Sequence, residues 1–206
     1  MITDLSPSDC SKYASALRAS KLVENGMKVG LGTGSTAFWL VRHLADRMRN
    51  ESLNFVGVPT SIRTRDQAHG EGIRLISMDD AGRLDITIDG ADEFDQSMNL
   101  IKGGGGAHLQ EKIVAFGSDI MIVIADESKK VNKLGKFPLP VEVLQFGSTS
   151  SQMKIEEMLI SQKYRDFNIK MRMNNKKPFI TDEGNYIFDL ELNEIADPKK
   201  LCSELN

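Results

Sequence analysis

"MKVGLGTGSTAFWLVRHLADRM", residues 27–48, passes in one run from a strand to a helix. "MKVGLG" reads as a short buried strand, "TGSTA" as the turn, and Phe38 to Met48 as the helix that follows. A strand turning through glycine into a helix is the first half of a β-α unit, and repeats of that unit build a parallel sheet. The unit recurs on both sides. Upstream, a helix is predicted from Ser8 to Asn25, closed by Gly26. Downstream, the predicted strands are "LNFVGV" (53–58), "IRLIS" (73–77), "LDITI" (84–88) and the most apolar of all, "DIMIVIAD" (119–126). Helices are predicted at residues 61–69 and from Ala107 to Phe116. The pattern predicts an α/β fold with a Rossmann-like parallel-sheet main domain over residues 1–137.

Two prolines in "KFPLPVEV" (136–143) mark a change of rhythm. "VEVLQ" as a strand, a helix near 149–163, strands "NIKMRM" (168–173) and "YIFDLEL" (186–192), and a helix beginning at "DPKKL" read β-α-β-β-α. That is a smaller α+β, ferredoxin-like domain over residues 138–206, expected to lack its last strand.

Composition bounds the function classes. Apolar residues at 40% and charged residues at 27% are an ordinary globular balance. A formal net charge of −3 argues against broad nucleic-acid binding. The two cysteines, Cys10 and Cys202, form no disulfide framework and no cysteine zinc site. With no signal-peptide pattern and no apolar run of membrane-spanning length, the expectation is a soluble cytoplasmic protein without nucleic-acid or membrane partners.

The unusual loops all follow apolar strands, and in parallel sheets ligands collect at the strands' carboxyl ends. "GLGTGST" (30–36) offers glycine-freed amides, a helix N-terminus and the hydroxyls of Ser35 and Thr36, which suit a phosphate better than a mere packing turn. It matches neither a dinucleotide nor a nucleoside-triphosphate fingerprint. "DGADEFD" (89–95) carries Asp89, Asp92, Glu93 and Asp95, readable as an acidic turn, a Mg²⁺ site or carboxylates for a sugar's hydroxyls. In "IKGGGGAHLQEK" (101–112), Leu109, Ile113 and Phe116 form a stripe predicted to face the core. Glu111 then lies on the other side, where the plain reading is a solvent-facing glutamate, but its small apolar neighbours suit the border of a cleft or interface. A glutamate base, the Lys102 cation and glycine amides suit proton abstraction beside a carbonyl. Lys129 in "ADESKK" reads alone as a solvated lysine, and beside a phosphate loop as a phosphate partner. His43, His69 and His108 have no metal-ligand spacing and read as surface or packing residues.

Together, "GLGTGSTA", "IDGADEFD", "LIKGGGGAHLQEKIVA", "IADESK", "GKFPLPVEV" and "TDEGNYIFDL" resemble the type A ribose-5-phosphate isomerase family, in order and over nearly the whole chain. The resemblance implies interconversion of D-ribose 5-phosphate and D-ribulose 5-phosphate through an enediolate, with no metal and no organic cofactor. It puts the base on Glu111, the motif aspartates on Asp89 and Asp92, and the motif lysine on Lys102. Substrate contacts fall on Thr33, Gly34, Ser35 and Thr36, on Gly90 and Ala91, on Gly103, Gly104 and Gly105, and on Lys129 and Lys12. The family is usually a homodimer or homotetramer joined through the small domain, and it continues past Asn206 with a strand that completes that domain. His108 stands where the family usually has an aliphatic residue. Rival readings are a related sugar-phosphate isomerase or amino-sugar-phosphate deaminase, a catalytically inert sugar-phosphate sensor, and a Mg²⁺-dependent phosphatase.

Overall fold

The computed structural model describes residues 5–206. In chain order it contains α1 (Pro7–Ser20), β1 (Lys28–Leu31), α2 (Ser35–Glu51), β2 (Val56–Pro59), α3 (Ile62–Gly70), α4 (Met78–Ala81) and β3 (Leu84–Asp89). A small hairpin of β4 (Glu93–Phe94) and β5 (Leu100–Ile101) precedes α5 (His108–Phe116), β6 (Ser118–Val123) and a 3₁₀ turn, Glu127–Lys129. Then come β7 (Leu139–Val143), α6 (Ser148–Ser161), β8 (Asn168–Met171), β9 (Met173–Asn174), β10 (Lys177–Pro178), β11 (Tyr186–Glu191) and α7 (Pro198–Leu205).

The chain divides into two compact units. One takes the chain as far as Ala91 and then Gln110–Ser128; the other takes Asp92–Leu109 and Lys129–Asn206. The sequence pattern suggested one cut at 137/138, where the helix-strand rhythm changes. The units instead exchange chain at three points, and all three fall inside the motif stretches, one of them within α5.

In the first unit the sheet order is β2-β1-β3-β6, with every pairing parallel. This is the Rossmann-like arrangement that the β-α rhythm implied. Its main core joins Val29, Leu31, Ile86 and Ile88 of the sheet to Leu40, Val41 and Leu44 of α2 and to Ala16 and Ala19 of α1. Ser6 caps α1 by accepting from the Asp9 amide (3.1 Å), with Pro7 as the first helical residue. The helix ends at Ser20 rather than Asn25. Arg47 of α2 takes up the carbonyls of Ser20 and Val23, the latter at 2.9 Å, and residues 21–26 form the turn into β1.

Two other expectations change. "IRLIS" is no strand: only Leu75 forms an isolated parallel bridge, to Gly57. The chain leaves at once because Ser77 caps α4, accepting from the Asp80 amide at 3.0 Å. β6, expected as the most buried strand, is an edge strand, and Ile120 is 55% exposed. Its apolar residues report strand propensity rather than burial.

The second unit holds an antiparallel sheet ordered β7-β11-β8. With α6 and α7 this is the ferredoxin-like motif less the strand that would lie outside β7, among the described residues. Phe188 and Leu190 of β11, Leu159 of α6 and Leu201 of α7 form its core. Among the described residues no helix is long and apolar enough to cross a membrane.

His43 on α2 is buried, edge-on to the Tyr13 ring at 4.4 Å, with Nε2–H donating to the Tyr13 carbonyl at 3.3 Å. Burial pushes its pKa below the usual value, more than the Tyr13 carbonyl and Asp46 push it up, and Arg42 lowers it further. The unfolded chain therefore takes up this proton first as the pH falls. The stabilisation is complete above the unfolded value of about 6.5 and is lost as pH drops towards the folded value. Melting temperature should fall between about pH 7.5 and about pH 5, and the fall should be smaller in His43→Gln.

Candidate active site

β1 and β3 are adjacent and parallel, so their carboxyl ends lie side by side. Asp89 closes β3 and is 0% exposed. Its Oδ1 accepts from the Thr33 amide at 3.0 Å and from the Gly90 amide at 2.7 Å. A buried carboxylate needs such donors, and hydrogen bonds to a charged group each contribute about 1.5–3 kcal/mol. Gly32 makes the approach possible. A Cβ there would lie 2.5 Å from the Asp89 Cα and closer still to its carboxylate.

The glycine loop then opens α2. Gly34 takes φ 122°, which favours glycine, and Ser35 is the first residue of the helix. The Gly34 N-cap makes no side-chain cap bond, leaving the first-turn amides to a ligand or to water. Ser35 is exposed and Thr36 half-buried. Thr33 is different. Its hydroxyl lies 2.8 Å from those of Thr60 and Ser61 and 3.1 Å from that of Thr64, in a buried cluster that ties this loop to the start of α3. Thr33 is thus a structural member of the loop, and "TSIRT" (60–64) went unread as its support. The only sequence signal was three hydroxyl residues within five positions after β2.

Helix α5 reverses the expected orientation. Glu111 is 6% exposed and Val114 3%, whereas Ile113 is 49% and Phe116 81% exposed. Ile113 and Phe116 of the predicted core stripe face outward while Leu109 is half-buried, and the face carrying Glu111 is turned in. Gly30 of β1 decides this: a Cβ there would sit 2.7 Å from Val114 Cγ1, so the missing side chain admits Val114 to the sheet. Glu111, one helical turn before Val114, shares that face.

In the second unit, Asp92 is half-buried and its Oδ2 accepts from the Gly104 amide at 2.7 Å. Lys102 is half-buried just after β5, and Gly103 follows with φ 91°. The Gly106 amide donates to the Gly103 carbonyl at 3.0 Å. Two amides of the glycine tract are therefore taken up within the protein, leaving fewer for a ligand than the sequence suggested. His108 Nε2–H donates to the Pro140 carbonyl at 3.0 Å, a packing role. Glu142, which the sequence reading passed over, accepts from the Leu109 amide (3.0 Å) in the first turn of α5 and from the Thr181 hydroxyl (2.7 Å).

The acidic cluster disperses. Glu93 is buried and accepts from the amides of Gly135 (2.8 Å) and Phe137 (2.6 Å). Asp95 accepts from the Asn99 side chain (2.8 Å) and from the amides of Ser97 and Asn99, which hold its carboxyl below the usual range. Each carboxylate of "DGADEFD" serves a different set of donors. Among the described residues no three His, Cys, Asp or Glu side chains are grouped to hold a metal ion.

Of the remaining candidates, Gly90 and Ala91 are half-buried after β3, Gly105 is exposed, and Lys129 is half-buried at the end of the 3₁₀ turn. Lys12 lies on α1 with its side chain 19% exposed, 3.5 Å from Asp9.

A family profile for ribose 5-phosphate isomerase A (phosphoriboisomerase A) matches residues 56–206. The ribose-5-phosphate isomerase A of Ruegeria sp. (strain TM1040) is 57% identical over all 206 residues, which span 79% of that relative. Among solved structures, the ribose 5-phosphate isomerase A of Methanocaldococcus jannaschii superposes with a TM-score of 0.88 at 41% identity, covering 97% of this chain and 86% of that one. A D-ribose-5-phosphate isomerase solved in complex with phospho-erythronic acid superposes at 0.86 with 34% identity, covering 95% and 84%.

Gly32→Ala should push Asp89 off its two amides and cost about 1–3 kcal/mol, the range for overpacking a tight site. Gly70→Ala is the control, since a Cβ there meets nothing within 4 Å. Urea unfolding of the two variants should show a loss for the first and no loss for the second.

Proposed function

This chain belongs to the ribose 5-phosphate isomerase A family, and we propose on that premise that it interconverts D-ribose 5-phosphate and D-ribulose 5-phosphate with Glu111 as the base. The observation that carries the assignment is the burial of Glu111, 6% exposed on the inward face of α5. A base shielded from bulk water can hold the proton it removes and return it to the neighbouring carbon without losing it to solvent. A phosphorylated sugar acid bound to one structural relative supports a sugar phosphate as the ligand class.

In the proposed reaction, Asp89 takes the proton of the anomeric hydroxyl, the C1 carbonyl forms as the bond from C1 to the ring oxygen breaks, and the proton passes to that oxygen, giving the open-chain aldose. Glu111 then removes the C2 proton. The electron pair left behind forms the C1–C2 double bond, and the C1 carbonyl oxygen takes up the charge. Lys102 stabilises that oxygen, which is the task of a preorganised cation beside a developing enediolate. A proton passes from the C2 hydroxyl to the C1 oxygen, and Glu111 returns its proton to C1, leaving the ketone at C2. Asp92 orients the hydroxyls. Its fixed position, given by the Gly104 amide, supports that role. The phosphate is assigned to the amides and hydroxyls at Ser35 and Thr36, with Gly34 giving the backbone room and Lys129 and Lys12 supplying charge.

No step needs a metal ion or an organic cofactor. We further propose a cytoplasmic homo-oligomer of this chain, which analytical ultracentrifugation would test as a species of twice or four times the monomer mass.

The direct test is incubation with D-ribose 5-phosphate in the presence of EDTA. D-Ribulose 5-phosphate should form at an undiminished rate, and its absence would sink the assignment. Glu111→Gln keeps the shape and removes the base, so kcat should fall by about 10²–10⁴-fold with little change in KM. Replacing both Ser35 and Thr36 by Ala removes binding common to ground and transition states. KM should then rise by about tenfold with kcat nearly unchanged, as steady-state kinetics would show.

A further inference from the structure

Arg172 lies at the break between β8 and β9, in "KMRMN". Its side chain is only 15% exposed, and that of Asp189 on β11 is 22% exposed. Nε and Nη2 fork onto the two Asp189 oxygens, with Nε at 2.9 Å from Oδ2. This leaves Nη1, which donates to two consecutive carbonyls of the glycine tract, Gly103 at 3.0 Å and Gly104 at 3.1 Å. A planar guanidinium held on one side by a carboxylate has no freedom to follow the loop, so the loop is set by it.

We propose that Arg172, locked by Asp189, is the positioning residue that sets the peptide planes of the glycine turn for catalysis. In a trans peptide the carbonyl and the next N–H point in opposite directions. With the Gly103 carbonyl on Arg172, the Gly104 N–H faces the other way, where Asp92 Oδ2 accepts it at 2.7 Å. Arg172 therefore fixes the motif aspartate through one peptide plane. With the Gly104 carbonyl on the same guanidinium, the Gly105 N–H is also turned away from Arg172. Gly105 is exposed, so that amide is the tract's donor for a substrate oxygen.

The surroundings leave no room for side chains on the turn. A Cβ at Gly103 would meet the His108 ring at 2.5 Å, one at Gly104 the Asp92 Cγ at 2.7 Å, and one at Gly106 the Phe179 ring at 2.5 Å. The Phe179 amide donates to the Arg172 carbonyl at 2.8 Å, so the same residue also secures this wall. The small unit's sheet thereby sets the geometry of a loop that carries catalytic groups.

The inference rests on the isomerase reading, and the wild-type enzyme assayed on D-ribose 5-phosphate serves as the reference. Arg172→Ala should lower kcat by about 10²-fold, the order expected when catalytic groups are misplaced by about 1 Å. KM should change by less than about threefold, because Arg172 does not touch the substrate. Millimolar guanidinium should restore part of the lost kcat, whereas methylammonium should not. Arg172→Lys should stay well below wild type, since an ammonium cannot fork on Asp189 and reach both carbonyls. Asp189→Asn keeps the guanidinium but loosens its hold and should give a smaller loss of kcat; it serves as the test if Arg172→Ala fails to fold. Wild-type kcat in folded Arg172→Ala or Asp189→Asn overturns the proposal. So does a loss that guanidinium cannot rescue, or one that tracks a fall in melting temperature. A wild-type enzyme inactive on D-ribose 5-phosphate sinks the isomerase reading itself, and the positioning role with it.

Discussion

The buried carboxylate of Asp89 is the interaction from which the first unit's functional end is built. Its Oδ1 draws together the amide after β1 and the amide after its own strand, so two loops of different β-α units share one acceptor. Everything nearby follows from that demand. Gly32 must lack a side chain, Thr33 must turn its hydroxyl into the Thr60, Ser61 and Thr64 cluster, and the chain emerges as the N-terminus of α2. A charge removed from water is tolerated only when donors surround it, and those donors are the backbone of the loop itself.

The second unit solves a comparable problem with the charges reversed. A partly buried guanidinium, neutralised by Asp189, gathers two carbonyls of a tract that has no side chains to define it. Glycine gives a backbone freedom, and freedom has to be removed before a loop can hold a reacting molecule. Asp92, Arg172, His108 and Phe179 remove it from four sides. In both units an ion is spent on orienting peptides, and peptides are what the proposed chemistry relies on to grip the phosphate and support the enediolate.

The acidic motif shows how identical residue types separate by environment. Asp89, Asp92, Glu93 and Asp95 are within seven positions, yet each is engaged by different donors. Glu93 ties the hairpin to the amides of Gly135 and Phe137, and Asp95 closes the turn between β4 and β5. Residue type and proximity in sequence left three readings open. The hydrogen-bond partners show that all four organise backbone amides, each in a different place.

The sequence by itself determined the fold class and the motifs. Strand-to-helix turns through glycine recur by local periodicity, and local periodicity survives without knowledge of the partners. It also showed that α5 has two unlike faces. It did not determine which face lies inward, because that depends on Gly30, a residue of another element that leaves room for Val114 and carries Glu111 in beside it. Strand propensity in "DIMIV" likewise said nothing of its place at the sheet edge. Arg172 was invisible because its meaning lies in two carbonyls 69 and 68 positions away. Patterns along the chain record what a segment can form, and only tertiary packing fixes what each side chain meets.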